Sequence, residues 1–209
     1  MAKEVDVILA NSNFIAEKIN RYYEREATVV YPPIDEEKFY FDSKDSRDDY
    51  FFMVGRFLPY KRFDLVAQAF KKLPFRLLIA GGGSEENRLR EIAAGAKNIT
   101  FLGNVSDFEL RRLYSGARAL IFPSVEDFGL VMAEANACGT PVIAFAEGGA
   151  LEIIMEGVNG HFFEEQTPEA ISSAIREFDV LKFDKEKIAL TANRFSKSRF
   201  VESFRAFLP

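Results

Sequence analysis

An α/β fold, a doubly wound parallel sheet with helices on both faces, is what the sequence predicts, and three observations predict it. From residue 50 onward, short apolar runs free of charge alternate with segments of helical periodicity. Strands that are apolar along their whole length belong to sheets covered on both sides, and such sheets are parallel. Glycine-bearing turns then follow several of the runs, at Gly55, Gly81 to Gly83 and Gly103, where a strand would hand over to a helix.

Taken in order, Val5 to Ala10 reads as a strand, Ser12 to Tyr23 as a helix capped by Asn11 or Ser12, and Thr28 to Tyr31 as a short strand stopped by Pro32 and Pro33. Asp42 to Asp49, D-S-K-D-S-R-D-D, is polar enough for a linker or long loop. The alternation follows: strands at Tyr50 to Val54, Phe75 to Ala80, Ile99 to Leu102, Ala119 to Phe122, Val142 to Phe145 and near His161 to Phe163. Between them lie helices at Phe63 to Lys72, Glu85 to Ala94, Asp107 to Tyr114, Leu130 to Cys138 and Ala150 to Met155, and Pro168 to Leu208 is mostly helical. Residues 50–180 thus make a complete doubly wound domain, with 181–209 as carboxy-terminal helices. The first 49 residues, two strands and one helix, are too few for a core of their own. They read as the edge of a second domain, or as an element packed on the main sheet.

Composition excludes several classes. A chain of 209 residues with 48% apolar and 28% charged content is ordinary for a globular protein. Its net charge of -5 argues against a nucleic-acid surface, so an anionic ligand needs a local cluster of cations. A single cysteine, Cys138, and a single histidine, His161, rule out internal disulfides and His-rich metal sites, and suit a reducing compartment. Asp48 with Asp49 sits in the polar linker, and Asp107 with Glu109 at a helix amino terminus where acids are expected, so no metal is expected. His161 beside Phe162 reads as structural and Cys138 as a packing residue.

The richest segment is Ser124 to Pro141, S-V-E-D-F-G-L-V-M-A-E-A-N-A-C-G-T-P. Glu126 falls in the turn above a strand's carboxyl end, where ligands bind in open α/β sheets, and the amides of Gly129 and Leu130 at the helix start would point into the same crevice. Glu134 falls in the middle of an apolar helix, where a carboxylate needs a partner such as a pair of ligand hydroxyls. Taken alone, the two carboxylates read equally well as loop charge and an exposed stripe. In the turn G-R-F-L-P-Y-K-R, Gly55 to Arg62, Arg56 follows a strand and Lys61 stands at a helix start, a placement unfavourable unless a phosphate lies between them. Gly81, Gly82 and Gly83 let the backbone approach a ligand, although they match neither a dinucleotide fingerprint nor a P-loop. Gly103, Asn104 and Val105 offer backbone to a base, and E-G-G-A from Glu147 to Ala150 offers a further turn to a sugar. Each signal is weak singly, and their shared position at one sheet edge unites them.

These residues resemble a known family, the retaining GT-B glycosyltransferases of glycosyltransferase family 4, also called glycosyl transferases group 1. The resemblance runs through A-N-S-N-F at Ala10, V-V-Y-P-P-I-D at Val29, V-G-R-F-L-P-Y-K at Val54, I-A-G-G-G-S-E at Ile79, F-L-G-N-V at Phe101, P-S-V-E-D-F-G-L-V-M-A-E-A at Pro123 and G-T-P-V-I-A at Gly139. E-G-G-A-L-E at Glu147 looks most like mannosyltransferases of surface-polysaccharide synthesis. The resemblance implies a Rossmann-like donor-binding domain and no divalent metal or cofactor. In it Arg56, Lys61 and the amides of Gly129 and Leu130 hold the donor diphosphate, and Glu126 contacts the donor sugar. Glu134 takes the ribose hydroxyls, Asn104 and Val105 the base, and Gly55, Gly82 and Phe128 complete the donor site. Arg62 stands where the family usually has glycine, which would crowd the phosphate side.

The expected donor is a nucleotide sugar, GDP-mannose first, and the expected acceptor a glycan or lipid-linked sugar. The location expected is cytoplasmic, including the inner face of the membrane. Residues 1 to about 35 look like the last strand and helix of an amino-terminal acceptor domain, so this chain is expected to bind donor without transferring sugar. The alternative that the same motifs allow is a non-catalytic nucleotide-sugar binding module.

Overall fold

The structure, a computed structural model, describes residues 5–207. Six strands form one parallel sheet: β3 (Tyr50–Val54), β4 (Arg76–Ala80), β5 (Ile99–Gly103), β6 (Leu120–Phe122), β7 (Val142–Phe145) and β8 (Gly160–Phe163), in the order β5-β4-β3-β6-β7-β8. The chain builds outward from β3 to β5, returns to lay β6 against the free side of β3, and builds outward the other way. That reversal is the topological switch point of a doubly wound sheet, and it lies between β3 and β6.

Alternate strand residues feed two cores. Phe51, Met53, Leu77, Ile79, Ile121 and Ile143 pack on one face against α2 (Phe63–Phe70), α3 (Glu86–Ile92) and α7 (Pro168–Val180). Phe52, Leu78, Leu120, Phe122, Val142 and Ala144 pack on the other, against α4 (Asp107–Gly116), α5 (Leu130–Ala137) and α6 (Ala150–Ile153). The second core takes in residues beyond both sequence-based boundaries. Ile34 and Phe39 enter it from one end of the chain, and Ala192 and Phe195, after α8 (Lys185–Thr191), from the other. Each large side chain so buried, Ile34, Phe39 and Phe195, contributes about 1.5–3 kcal/mol over an exposed one. The stretch read as a linker is pinned to the domain, with Asp45 paired to Arg111 at 2.8 Å and Asp49 to Arg118 at 3.0 Å. Packing therefore stops neither at residue 50 nor at 180.

The amino-terminal segment is slighter than the sequence predicts. β1 is only Leu9–Ala10, paired parallel with β2, Thr28–Val29, and Val5 and Val7 are exposed, with no strand beside them among the described residues. The predicted strands Val5 to Ala10 and Thr28 to Tyr31 are thus too long, because a strand extends only as far as its partner. Between them α1 (Asn13–Tyr23) is capped by Ser12, whose hydroxyl accepts from the Ile15 amide at 3.1 Å, and it buries no residue. Elsewhere α2 ends at Phe70 and α6 at Ile153, short of the predicted ends, and a 3-10 turn, Ala192–Phe195, separates α8 from α9 (Lys197–Arg205).

Candidate active site

Two loops leave the sheet at the switch point. The chain leaving β3 passes Gly55 and Arg56 into a 3-10 turn, Pro59–Lys61; the chain leaving β6 passes Ser124 to Phe128 into α5. Lys61 Nζ and Glu126 Oε1 form an ion pair between these loops, with each side chain only 19% exposed. Arg56 is exposed and has no ion pair among the described residues. The amino terminus of α5 has neither a capping side chain nor an acid in its first turn, so its first amides are left for another acceptor. The loop leaving β3 thus carries two cations, and the loop leaving β6 a carboxylate and a helix end, with Lys61 and Glu126 the pair that meets.

Lys61 closes the 3-10 turn rather than opening α2, as the sequence reading has it. The residue at the start of α2 is Arg62, whose φ of 54° is left-handed. Glycine takes that conformation freely and other residues at a cost of roughly 1–2 kcal/mol. Arg62 therefore carries a backbone cost, while its guanidinium pairs with Asp64 at 3.4 Å.

The turns after β3, β4 and β5 enclose a cavity of about 250 Å3 lined by Gly55, Arg56, Gly82, Asn104 and Val105 among others. These five predicted donor residues, from three separate turns, are brought together. The three glycines divide in role. A Cβ on Gly81 would run into the Gly55 carbonyl oxygen, and one on Gly83 would lie 2.7 Å from the Phe57 backbone, so these two allow loop to pack on loop. Gly82 has no atom nearer than 3.6 Å to such a Cβ, and it lines the cavity together with Gly81.

Glu134 is half-buried on α5 and accepts a hydrogen bond from Tyr114 Oη at 3.1 Å. Burial, helped by the negative charges of Asp107 and Asp35, pushes its carboxyl up to about 7, against the Tyr114 hydrogen bond and the Lys38 charge, which pull it down. A carboxylate held this way has oxygen lone pairs to spare for ligand hydroxyls.

Phe128 packs within the fold: it is 4% exposed, and its ring lies against Tyr31 and Phe195 at 5.8 and 5.2 Å between centroids. Leu130 offers its amide, its side chain being exposed. The turn at Glu147 to Ala150 braces the Glu126 loop. Gly149 N donates to Glu126 O at 2.9 Å, and a Cβ on Gly149 would collide with the Phe128 carbonyl.

Sequence reasoning missed Tyr114, the Asp35, Lys38 and Asp107 group around Glu134, and Glu152. The last residue of E-G-G-A-L-E, Glu152 reaches back to the start of α1, where its Oε2 accepts from Asn13 N at 2.9 Å, Asn13 Nδ2 at 2.7 Å and Tyr31 Oη at 2.9 Å, and its Oε1 from Phe14 N at 3.0 Å. The one available signal was that α1 carries no acid in its own first turn. His161 lies between Glu156 at 2.6 Å and Glu177 at 3.3 Å on β8, and burial pushes the Cys138 thiol up to about 12, in keeping with structural roles for both. Among the described residues no group of three or more His, Cys, Asp or Glu side chains is placed to hold a metal ion.

The family of glycosyl transferases group 1 matches residues 34–189. An uncharacterized glycosyltransferase of Methanocaldococcus jannaschii is 30% identical over 177 residues, 82% of this chain and 49% of that protein. A D-inositol 3-phosphate glycosyltransferase of Mycolicibacterium smegmatis is 34% identical over 179 residues, 75% of this chain and 41% of that protein. The chain thus spans about half the length of the curated relatives it matches. In fold it is similar to sucrose-phosphate synthase of Thermosynechococcus elongatus, with a TM-score of 0.85 at 22% identity over 98% of this chain and 58% of that one. Anabaena HepE, solved in complex with UDP and glucose, gives 0.81 at 20% identity over 97% and 63%. The chain belongs to the glycosyl transferases group 1 family, and its parallel sheet is a Rossmann-like domain of the GT-B fold.

Proposed function

We propose that this chain is the donor-binding half of a glycosyltransferase that binds a nucleoside diphosphate sugar in the switch-point crevice without a metal ion. The observation that carries the reading is the Lys61–Glu126 pair, between a loop that also carries Arg56, without an ion pair among the described residues, and a loop that leads into the uncapped start of α5. Charge developing on a departing diphosphate would be taken up by Arg56, Lys61 and the α5 amides, groups fixed in place before the reaction begins. Glu126 would face the donor sugar, Glu134 the ribose hydroxyls, and the cavity at Gly82, Asn104 and Val105 the base.

GDP-mannose is the first donor candidate, supported by the E-G-G-A-L-E resemblance, of which Gly149 touches the Glu126 loop. Family membership supports transfer to a glycan or lipid-linked acceptor with retained configuration, in the cytoplasm or at its membrane face. The acceptor wall would come from an amino-terminal domain of which α1, β1 and β2 are the end. The test is calorimetric titration of the chain with GDP, UDP, ADP and their sugars in excess chelator. Binding that vanishes in chelator and returns with magnesium would contradict the metal-free reading.

A further inference from the structure

We propose that Glu152 is a positioning residue for Glu126, coupling α1 to the loop that carries the carboxylate. This rests on the reading of Glu126 as the group that faces the donor sugar. The four donors on the Glu152 carboxylate come from α1 and from Tyr31, remote in sequence from α6, with 139 positions separating Asn13 from Glu152. A helix amino terminus favours a negative charge, and since α1 has none in its first turn, Glu152 supplies it from another element.

Glu152 itself stands just beyond Gly149, and the Gly149 amide holds the Glu126 carbonyl at 2.9 Å. A displacement of α1 therefore acts on α6, and through Gly149 on the backbone of Glu126. Two further links join the same parts. Tyr31, hydrogen-bonded to Glu152, lays its ring against Phe128, and Lys18 on α1 pairs with Asp127 at 3.5 Å. The Lys18 pair is exposed and contributes little energy. Its direction is what counts, since it tethers α1 to the residue beside Glu126. A plain helix cap would affect α1 alone; this arrangement ties α1 to Glu126, and Glu126 to Lys61.

The test uses the full chain with Glu152→Gln, which keeps shape and loses charge, and Tyr31→Phe, which removes the bond donated to Glu152 and the one accepted from Asn13 Nδ2 and keeps the ring on Phe128. Amide hydrogen exchange should quicken both in the first turn of α1 and in residues 124–129, with β3 to β5 unchanged. Quickening confined to α1 in both variants would overturn the coupling. In titrations with GDP, GDP-mannose, UDP and UDP-glucose, the preference for sugar donor over plain diphosphate should fall by about fivefold, the worth of one net hydrogen bond, while plain diphosphate affinity holds. Equal loss for both ligand types would make Glu152 merely structural. If the wild-type chain binds none of the four, the donor reading fails, and the exchange result still decides the coupling.

Discussion

Lys61 and Glu126 pair between the loops that leave the neighbouring strands β3 and β6, so the cation proposed for the phosphate is already held by the carboxylate proposed for the sugar. Removing the lysine should therefore do two things. Lys61→Ala loses a charge-assisted contact to the diphosphate, worth about 1–3 kcal/mol of binding, and leaves Glu126 poorly solvated without its partner, for a stability loss of about the same size. Arg56→Ala should show the binding loss alone, because its side chain is exposed. Titration calorimetry beside thermal unfolding checks both, and a Lys61→Ala chain with wild-type melting and wild-type affinity would remove the pair from the site.

Glu126→Gln separates phosphate from sugar. With the carboxylate neutralised, Lys61 is released to the diphosphate, so plain GDP or UDP should bind at least as tightly as to the wild type. Sugar donors should lose their advantage over the plain diphosphate. A parallel fall in affinity for both would mean that Glu126 supports the whole crevice and does not discriminate the sugar.

Much of this arrangement is legible in the sequence because an α/β unit fixes which end of each strand carries the ligand loops. Tyr50 to Val54 and Val142 to Phe145 match the observed strands to the residue, each being an apolar run with a polar stretch or a glycine or proline turn at its borders. Val5 and Val7 open a largely apolar run as well, yet among the described residues no strand pairs with them, and pairing is not encoded locally. The site divides in the same way. Arg56, Gly82 and Asn104 are found from their turns, whereas the contacts of Lys61 with Glu126, Tyr114 with Glu134 and Glu152 with Asn13 depend on tertiary packing between distant residues. The aromatic of the F-G-L motif, Phe128, packs on Tyr31 and Phe195, contacts that likewise join residues distant in sequence.

Glu134 should make both stability and nucleotide binding depend on pH. Its carboxyl titrates at about 7 in the folded chain against 4.5 ordinarily, so the folded state holds the proton more tightly. Stability then falls as pH rises from the unfolded value to the folded one, and the loss is complete above the latter. Ribose hydroxyls donate to the ionised form, so GDP binding should tighten through the upper part of that window and release a proton near its middle. Calorimetry in buffers of different ionisation enthalpy reads the proton, and 2′,3′-dideoxy-GDP, which keeps the diphosphate titration and lacks both hydroxyls, is the control. Glu134→Gln should be more stable than the wild type above about pH 7 and should bind GDP more weakly. Identical proton release for GDP and its dideoxy analogue would separate Glu134 from the ribose.

The 209-residue chain by itself should bind donor and yet transfer no sugar. Transfer needs an acceptor held against the donor in a space closed to water, since most of the rate comes from positioning and from excluding competing solvent. On the amino-terminal side of the crevice the described residues offer only α1, which buries nothing, and a two-stranded sheet. The curated relatives extend over about twice the matched length. Incubating the chain with GDP-mannose, UDP-glucose and a panel of lipid-linked and soluble acceptors should therefore give at most slow hydrolysis of the donor. Joining or adding an amino-terminal domain should turn that hydrolysis into transfer with retained anomeric configuration, read by nuclear magnetic resonance of the product. Efficient transfer by the 209 residues alone would sink the half-enzyme reading, because the acceptor wall would then have to be built from residues already present.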